Sequence, residues 1–294
     1  MKDVTKQFGQ KTAVRDVTMK IAKGSAVALL GPNGAGKTTS IAMMLGLIRP
    51  TRGVVTLFGG DPLASEQHAH IGVMLQGVSV PDRLTVVETI QLFRGFYKKP
   101  LAIDRLLTAA GLEEDARVMA NRLSGGKMRR LQFALALAGN PEVLFLDEPT
   151  VGMDVTARRH FWDELRRFIA SGKTLLLTTH DLQEADLVAD RVIVMNKGRI
   201  IADAAPESIK MQFAGRQISF VAGVHLDLQK LTKLPDVIEI KTAGRQVTIR
   251  TNNSDGLLRT LIMEQWEISD IQVTGGGLEE AFMRLTTETE GTFV

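Results

Sequence analysis

The sequence predicts an α/β fold built on a mostly parallel sheet and followed by a small α+β domain. Three observations carry that expectation. Apolar runs rich in Val, Leu and Ile alternate with helical patterns up to about residue 205, as the strands of a sheet buried on both faces do. The segment Gly31 to Thr38 has the form G-x-x-x-x-G-K-T and lies between an apolar run and a helical pattern. After Pro206 the texture changes to short strands mixed with helices.

Taken in order, Ala26 to Leu30 is the first buried strand. A helix follows it, because Ile41, Met44, Leu45 and Ile48 recur at i, i+3, i+4 and i+7, and Pro50 is expected to stop that helix. Ile71 to Gln76 is an apolar strand ending in a polar residue. Residues 84 to 120 carry helical patterns without strand-like runs, which predicts a helical insertion over about 84–135. Val143 to Asp147, Thr174 to Thr179 and Arg191 to Met195 are further strands, the last joined by a turn at Asn196-Lys197-Gly198 to Ile200 to Ala202. In the second domain, over 215–294, strands are expected at Gln217 to Val221, Val237 to Lys241, Gln246 to Thr251 and Ile268 to Val273. Helices are expected at Leu226 to Lys233, Ser254 to Glu264 and Leu278 to Leu285. The resulting β-α-β-β-α-β order is that of a ferredoxin-like split βαβ.

Composition narrows the function. Across 294 residues, 36 Lys and Arg face 33 Asp and Glu, a net charge of +3 with no basic stripe, so nucleic acid is not an expected partner. The longest stretch without a charge, Gln67 to Pro81, is interrupted by Gly, Gln and Pro and is too short for a bilayer span, which needs about 18 or more apolar residues. The first residues, Met1 to Lys6, have no apolar core or cleavage site of a secretory signal, so the chain is expected in the cytoplasm. There is no cysteine, which excludes disulfides and thiolate chemistry. The five His are scattered.

The chemistry sits in three places. In Gly31-Pro32-Asn33-Gly34-Ala35-Gly36-Lys37-Thr38, glycines let the backbone wrap so that N–H groups meet phosphate oxygens at a helix N-terminus. Lys37 then neutralises the β and γ phosphates and the Thr38 hydroxyl ligates Mg²⁺. The nucleotide-binding set is Gly31, Asn33, Gly34, Gly36, Lys37, Thr38 and Thr39. A dinucleotide fold is excluded because the third Gly of G-x-G-x-x-G is missing, and Asn196-Lys197-Gly198-Arg199 lacks the acid of a guanine-specific N-K-x-D. The strand Val143 to Leu146 ends in Asp147-Glu148. Neighbouring side chains on a strand point to opposite faces, so Asp147 is assigned to Mg²⁺ and Glu148 to the base that activates water. Leu123-Ser124-Gly125-Gly126 reads by itself as a helix start capped by Ser124.

Leu123-Ser124-Gly125-Gly126, placed between the phosphate loop and the acidic strand, makes residues 1 to about 205 resemble the ATP-binding cassette (ABC) ATPases. The resemblance implies a P-loop NTPase core with an antiparallel edge subdomain and a helical insertion. It also implies a head-to-tail dimer sandwiching two MgATP, in which Ser124, Gly125 and Gly126 face the nucleotide of the opposite subunit. By the same resemblance Phe8 stacks on adenine, Gln76 ligates Mg²⁺, Asp154 in Gly152-Met153-Asp154 contacts the opposite subunit, and His180 bonds the γ phosphate. Asp181 and Glu184 just beyond His180 read as a D-x-x-E cap. Lys127 stands where the family usually has Gln or Met, and Met153 replaces the usual Leu, a volume-conserving exchange.

The segments Ile71 to Gln76 and Leu84 to Glu88 and the ending Leu278-Glu279-Glu280-Ala281-Phe282 resemble the bacterial antibiotic and multidrug exporter branch. The implied function is ATP hydrolysis powering a separately encoded integral-membrane permease, on the cytoplasmic face of the membrane, as a homodimer when ATP is bound. The alternative is a soluble ABC ATPase acting on ribosomes or nucleic acid. Against it stand a single cassette and the short separation between Thr38 and Ser124.

Overall fold

The computed structural model describes residues 1–75, 77, 80–223 and 228–291. The chain divides into two compact units, Met1–Asp203 and Ala204–Val294.

In the first unit, β1 (Lys2–Phe8), β2 (Lys11–Val17) and β4 (Arg52–Val54) form an antiparallel sheet in the order β2-β1-β4. The larger sheet contains β3 (Ala26–Leu30), β5 (Ile71–Met74), β6 (Val143–Asp147), β7 (Thr174–Thr178), β8 (Arg191–Asn196) and β9 (Arg199–Ala204). Its order is β5-β6-β7-β3-β8-β9, and every pairing from β5 to β8 is parallel.

Side-chain alternation explains why these strands read as unbroken apolar runs. Leu144 and Leu146 of β6, with Leu175 and Leu177 of β7, enter a core shared with the helices Ile103–Ala110, Gly125–Leu137 and Val155–Ala170. Phe145 and Leu176 point the other way, into a second core with Val27, Leu29, Ile193 and Met195. Both faces of the sheet are covered, so every position on β3 and β7 is buried. Each such Leu contributes about 1.5–3 kcal/mol relative to exposure.

Several boundaries differ from the expected ones. The helix after β3 spans Lys37–Met44 and ends two residues before Gly46, which has φ 71°, so the stop is not Pro50. The strand expected to reach Thr179 ends at Thr178, and the one expected to end at Met195 continues to Asn196. The helical insertion contains Val86–Arg94, Ile103–Ala110 and a short 3₁₀ turn at Ala120–Arg122, and its last helix continues to Leu137 rather than stopping near 135.

In the second unit, β10 (Arg216–Ala222), β11 (Val237–Ala243), β12 (Gln246–Thr251) and β13 (Ile268–Gly275) form a sheet in the order β11-β12-β10-β13, with all three pairings antiparallel. Helices Leu228–Leu231 and Ser254–Met263 occupy the two crossovers, which gives the split βαβ order. The first ends at Leu231 rather than at the expected Lys233, and the expected start at Leu226 lies outside the described residues. Ile218, Phe220, Val247, Ile249, Leu257 and Leu261 form its core. The final helix runs Leu278–Gly291, beyond the expected Leu285. Its Arg284 donates to Glu239 of β11 at 3.1 Å, and Arg250 of β12 donates to the same carboxylate at 3.2 Å.

Candidate functional site

The loop after β3 enters its helix through Gly36, at φ 103°, with no side chain capping the helix. The first N–H groups of that helix, at Lys37 to Thr39, therefore have no side-chain partner and are oriented for an anion. A Cβ at Gly36 would lie 2.6 Å from the Ala13 carbonyl, so only glycine fits this approach. Lys37 Nζ donates back across the loop to the carbonyls of Gly31 (2.6 Å) and Pro32 (3.2 Å). Burial lowers the Lys37 pKa, against the opposing negative charges of Glu148 and Asp147. Asn33 and Gly34 are exposed on the loop, Thr38 is exposed in the first turn of the helix, and Thr39 is half-buried.

Asp147 is buried at the end of β6 and accepts a hydrogen bond from the Thr178 hydroxyl, its registered neighbour on β7. Glu148 then turns out of the strand at φ 51°, and its N–H donates to the Thr178 carbonyl at 2.9 Å. Strand alternation therefore does not set the direction of Glu148, which lies beyond the end of β6; the left-handed turn does. His180 follows β7, and its Nδ1 hydrogen-bonds Glu148 Oε2. The His180 side chain is 72% exposed and that of Glu148 only 14%. The structure thus brings Lys37, Asp147, Glu148 and His180 to the C-terminal ends of three neighbouring strands, β3, β6 and β7.

Ser124 Oγ accepts from Lys127 N at 3.4 Å and caps the helix Gly125–Leu137. Lys127, the residue that departs from the usual signature, pairs through Nζ with Asp115 at 2.7 Å. A Cβ at Gly126 would meet the Gly152 carbonyl at 2.6 Å, so this glycine allows backbone contact with the turn that leads to Asp154. Asp154 caps the helix Val155–Ala170, accepting from Ala157 N at 2.8 Å. Phe8 ends β1 and is 51% exposed, so it is not a core aromatic, and Lys6 Nζ lies 4.9 Å from its ring centre. Gln76 lies outside the described residues.

The cap expected beyond His180 is only half present. Asp181 accepts from Gln183 N at 3.0 Å. Glu184 does not turn back to the N-cap, as a capping box would require. It is buried, accepting from the hydroxyls of Thr150 and Thr179 (2.9 Å for Thr179), and Thr179 Oγ1 accepts from Asp181 N instead. A D-x-x-E spacing cannot reveal that inward contact, because Thr150 is 34 positions away.

Protein-family profiles match residues 14–151 to the ABC transporter family. The chain is 37% identical over 290 residues to a Nod factor export ATP-binding protein I of Neorhizobium galegae, covering 96% of this chain and 83% of that protein. It is 34% identical over 295 residues to a daunorubicin resistance ATP-binding protein of Streptomyces coeruleorubidus, covering 96% and 93%. Among solved structures it is similar to a dimeric, post-hydrolysis ATP-binding cassette bound to ADP and phosphate. The TM-score there is 0.64 and the identity 28%, over 69% of this chain and 97% of that one.

Proposed function

Because the chain belongs to the ABC transporter family of ATP-binding proteins, we propose that it is the ATP-hydrolysing subunit of an exporter. The observation that carries this reading is the convergence of Lys37, Asp147, Glu148 and His180 beside an uncapped helix start. The chain binds ATP, and its hydrolysis is coupled to transport by a membrane permease. Subunits of this family dimerise. We further assign this chain to a homodimer with two ATP between its subunits, on the cytoplasmic face of the membrane, with a separately encoded permease. Among the described residues no helix is long and apolar enough to cross a membrane. Relatives named for Nod factor export and daunorubicin resistance favour an amphiphile or drug as cargo and weigh against a ribosome- or nucleic-acid-directed ATPase.

The residues suit Mg²⁺. Thr38 and Asp147 offer hard oxygen donors, and among the described residues no cluster of three His, Cys, Asp or Glu forms an all-protein cage. Magnesium is commonly held by one or two protein oxygens together with phosphates and water. Thr38 and Asp147 would hold it, with Gln76 as the further candidate, and the ion supplies neutralisation of the phosphate charge. The helix N-terminus at Lys37 to Thr39 and the amides of the glycine loop bind the phosphates, and Phe8 supports the adenine. Lys37 shifts from the Gly31 and Pro32 carbonyls to the β and γ phosphates. Glu148 takes a proton from the attacking water while His180 donates to the γ phosphate. Ser124, Gly125 and Gly126 of the opposite subunit complete the site, and Asp154 contacts that subunit.

Glu148→Gln keeps the shape of the side chain and removes the base. Steady-state phosphate release should fall by about 10²-fold or more, while ATP-trapped dimers still form on size exclusion. Hydrolysis at the parent rate would refute the assignment.

A further inference from the structure

One buried carboxylate joins the two loops that carry Glu148 and His180. Glu184, on the helix Leu182–Val188, is 3% exposed. One of its oxygens accepts from Thr150 Oγ1, two residues after Glu148, and the other accepts from Thr179 Oγ1, one residue before His180. Both threonines are also buried, at 4% and 2% exposure. Thr150 begins the turn to the dimer-facing loop, since its carbonyl accepts from Met153 N at 3.0 Å. Thr179 Oγ1 accepts from Asp181 N at 2.9 Å, fixing the corner after His180. Arg158 Nε lies 3.9 Å from Glu184, and Arg158 Nη1 lies 3.9 Å from Asp181. A carboxylate buried this deeply is costly unless its partners are fixed, and these partners lie on either side of the reacting pair.

We infer that Glu184 is a positioning residue: by holding Thr150 and Thr179 at once, it sets the distance between Glu148 and His180 and so sets the rate of hydrolysis. This rests on the ATPase reading above. Glu184 reaches the water and the phosphate only through the two loops, so it is expected to act on turnover and not on ATP affinity. In Glu184→Ala both links are lost and the loops are free to move apart, and misplacement of reacting groups by about 1 Å costs on the order of 10²-fold in rate. In Glu184→Gln the amide oxygen keeps one link, and the amide N–H donates to the other threonine hydroxyl, so part of the constraint survives.

The test is steady-state ATP hydrolysis by the full chain, with thermal unfolding and the pH dependence of kcat recorded for each variant. Glu184→Ala is expected to lower kcat by about 10- to 100-fold with KM for ATP within about twofold, and to change the pH dependence of kcat. Glu184→Gln should recover most of the lost rate. Thr179→Val and Thr150→Val cut one link each while leaving the carboxylate in place, so they carry the test if Glu184→Ala does not fold. Each should lower kcat, and Glu184→Gln added to either should lower it by less than the product of the single effects. A fall in melting temperature with kcat, KM and pH profile unchanged would overturn the inference, as would a rise in KM with kcat unchanged. In that case Glu148→Gln still lacks activity and the ATPase reading stands. Parent-level hydrolysis by Glu148→Gln would instead overturn that reading.

Discussion

At the scale of single residues, the site depends on backbone positions that admit one residue type. Gly36 combines φ 103° with a carbonyl 2.6 Å from where a Cβ would lie. Gly36→Ala should therefore destabilise the first unit by about 1–3 kcal/mol, read by chemical denaturation, and weaken ATP binding in titration calorimetry. Unchanged stability and affinity would show that the loop adjusts at no cost. Most of these residues were legible in the sequence because the chemistry itself demands their spacing. Gly36-Lys37-Thr38 must follow a strand and open a helix, and Asp147-Glu148 must end a strand. The role of Glu184 was not legible, since its partner Thr150 is distant in sequence and D-x-x-E is also the spacing of a cap.

At the scale of elements, helix starts decide the geometry more than helix propensity does. Thr85 caps the helix Val86–Arg94 in a full capping box, with Glu88 accepting from the Thr85 N–H and hydroxyl at 2.8 Å. Those two bonds hold the Glu88 carboxyl below the ordinary range. The box is thus present at neutral pH and is lost as pH falls through that lowered value. Thr85→Ala should cost about 1 kcal/mol, a drop of about 2–4 °C in melting temperature for a unit of this size, and a drop below about 0.5 °C would count against the box. Strands buried on both faces, such as Ala26–Leu30 and Val143–Asp147, were predicted to the residue because their apolar runs are unbroken. The strands of the antiparallel sheet, Lys2–Phe8, Lys11–Val17 and Arg52–Val54, left little signal. Lys2, Asp3, Lys11, Arg15 and Asp16 are among their exposed positions and interrupt the apolar pattern, and the three residues of Arg52–Val54 are all exposed. The helix stop was misplaced for a related reason: Pro50 is the stronger signal in sequence, but Gly46 comes first and reverses the backbone.

At the scale of the whole molecule, the two units have separate cores and different sheet types, and only the first carries the reacting groups. The signature turn of the first unit faces the nucleotide of a second subunit in the proposed dimer, so half of each site comes from another chain. Ser124→Arg places a long cation at that turn while leaving the Lys37 loop of the same chain intact. ATP-dependent dimers should be absent on size exclusion, and hydrolysis should fall by about tenfold or more, with ATP still bound by the isolated subunit. Unchanged dimerisation and turnover would refute the shared site.

The register between β6 and β7 runs without a break from Val143↔Thr174 to Asp147↔Thr178. Glu148 and His180 emerge just beyond the last of these pairs. Because successive side chains alternate faces, a one-residue insertion or deletion inside either strand would point the reacting side chain into the wrong layer. The lengths of these two strands are therefore fixed by the chemistry at their ends, and changes in chain length are tolerated only in the connections outside them.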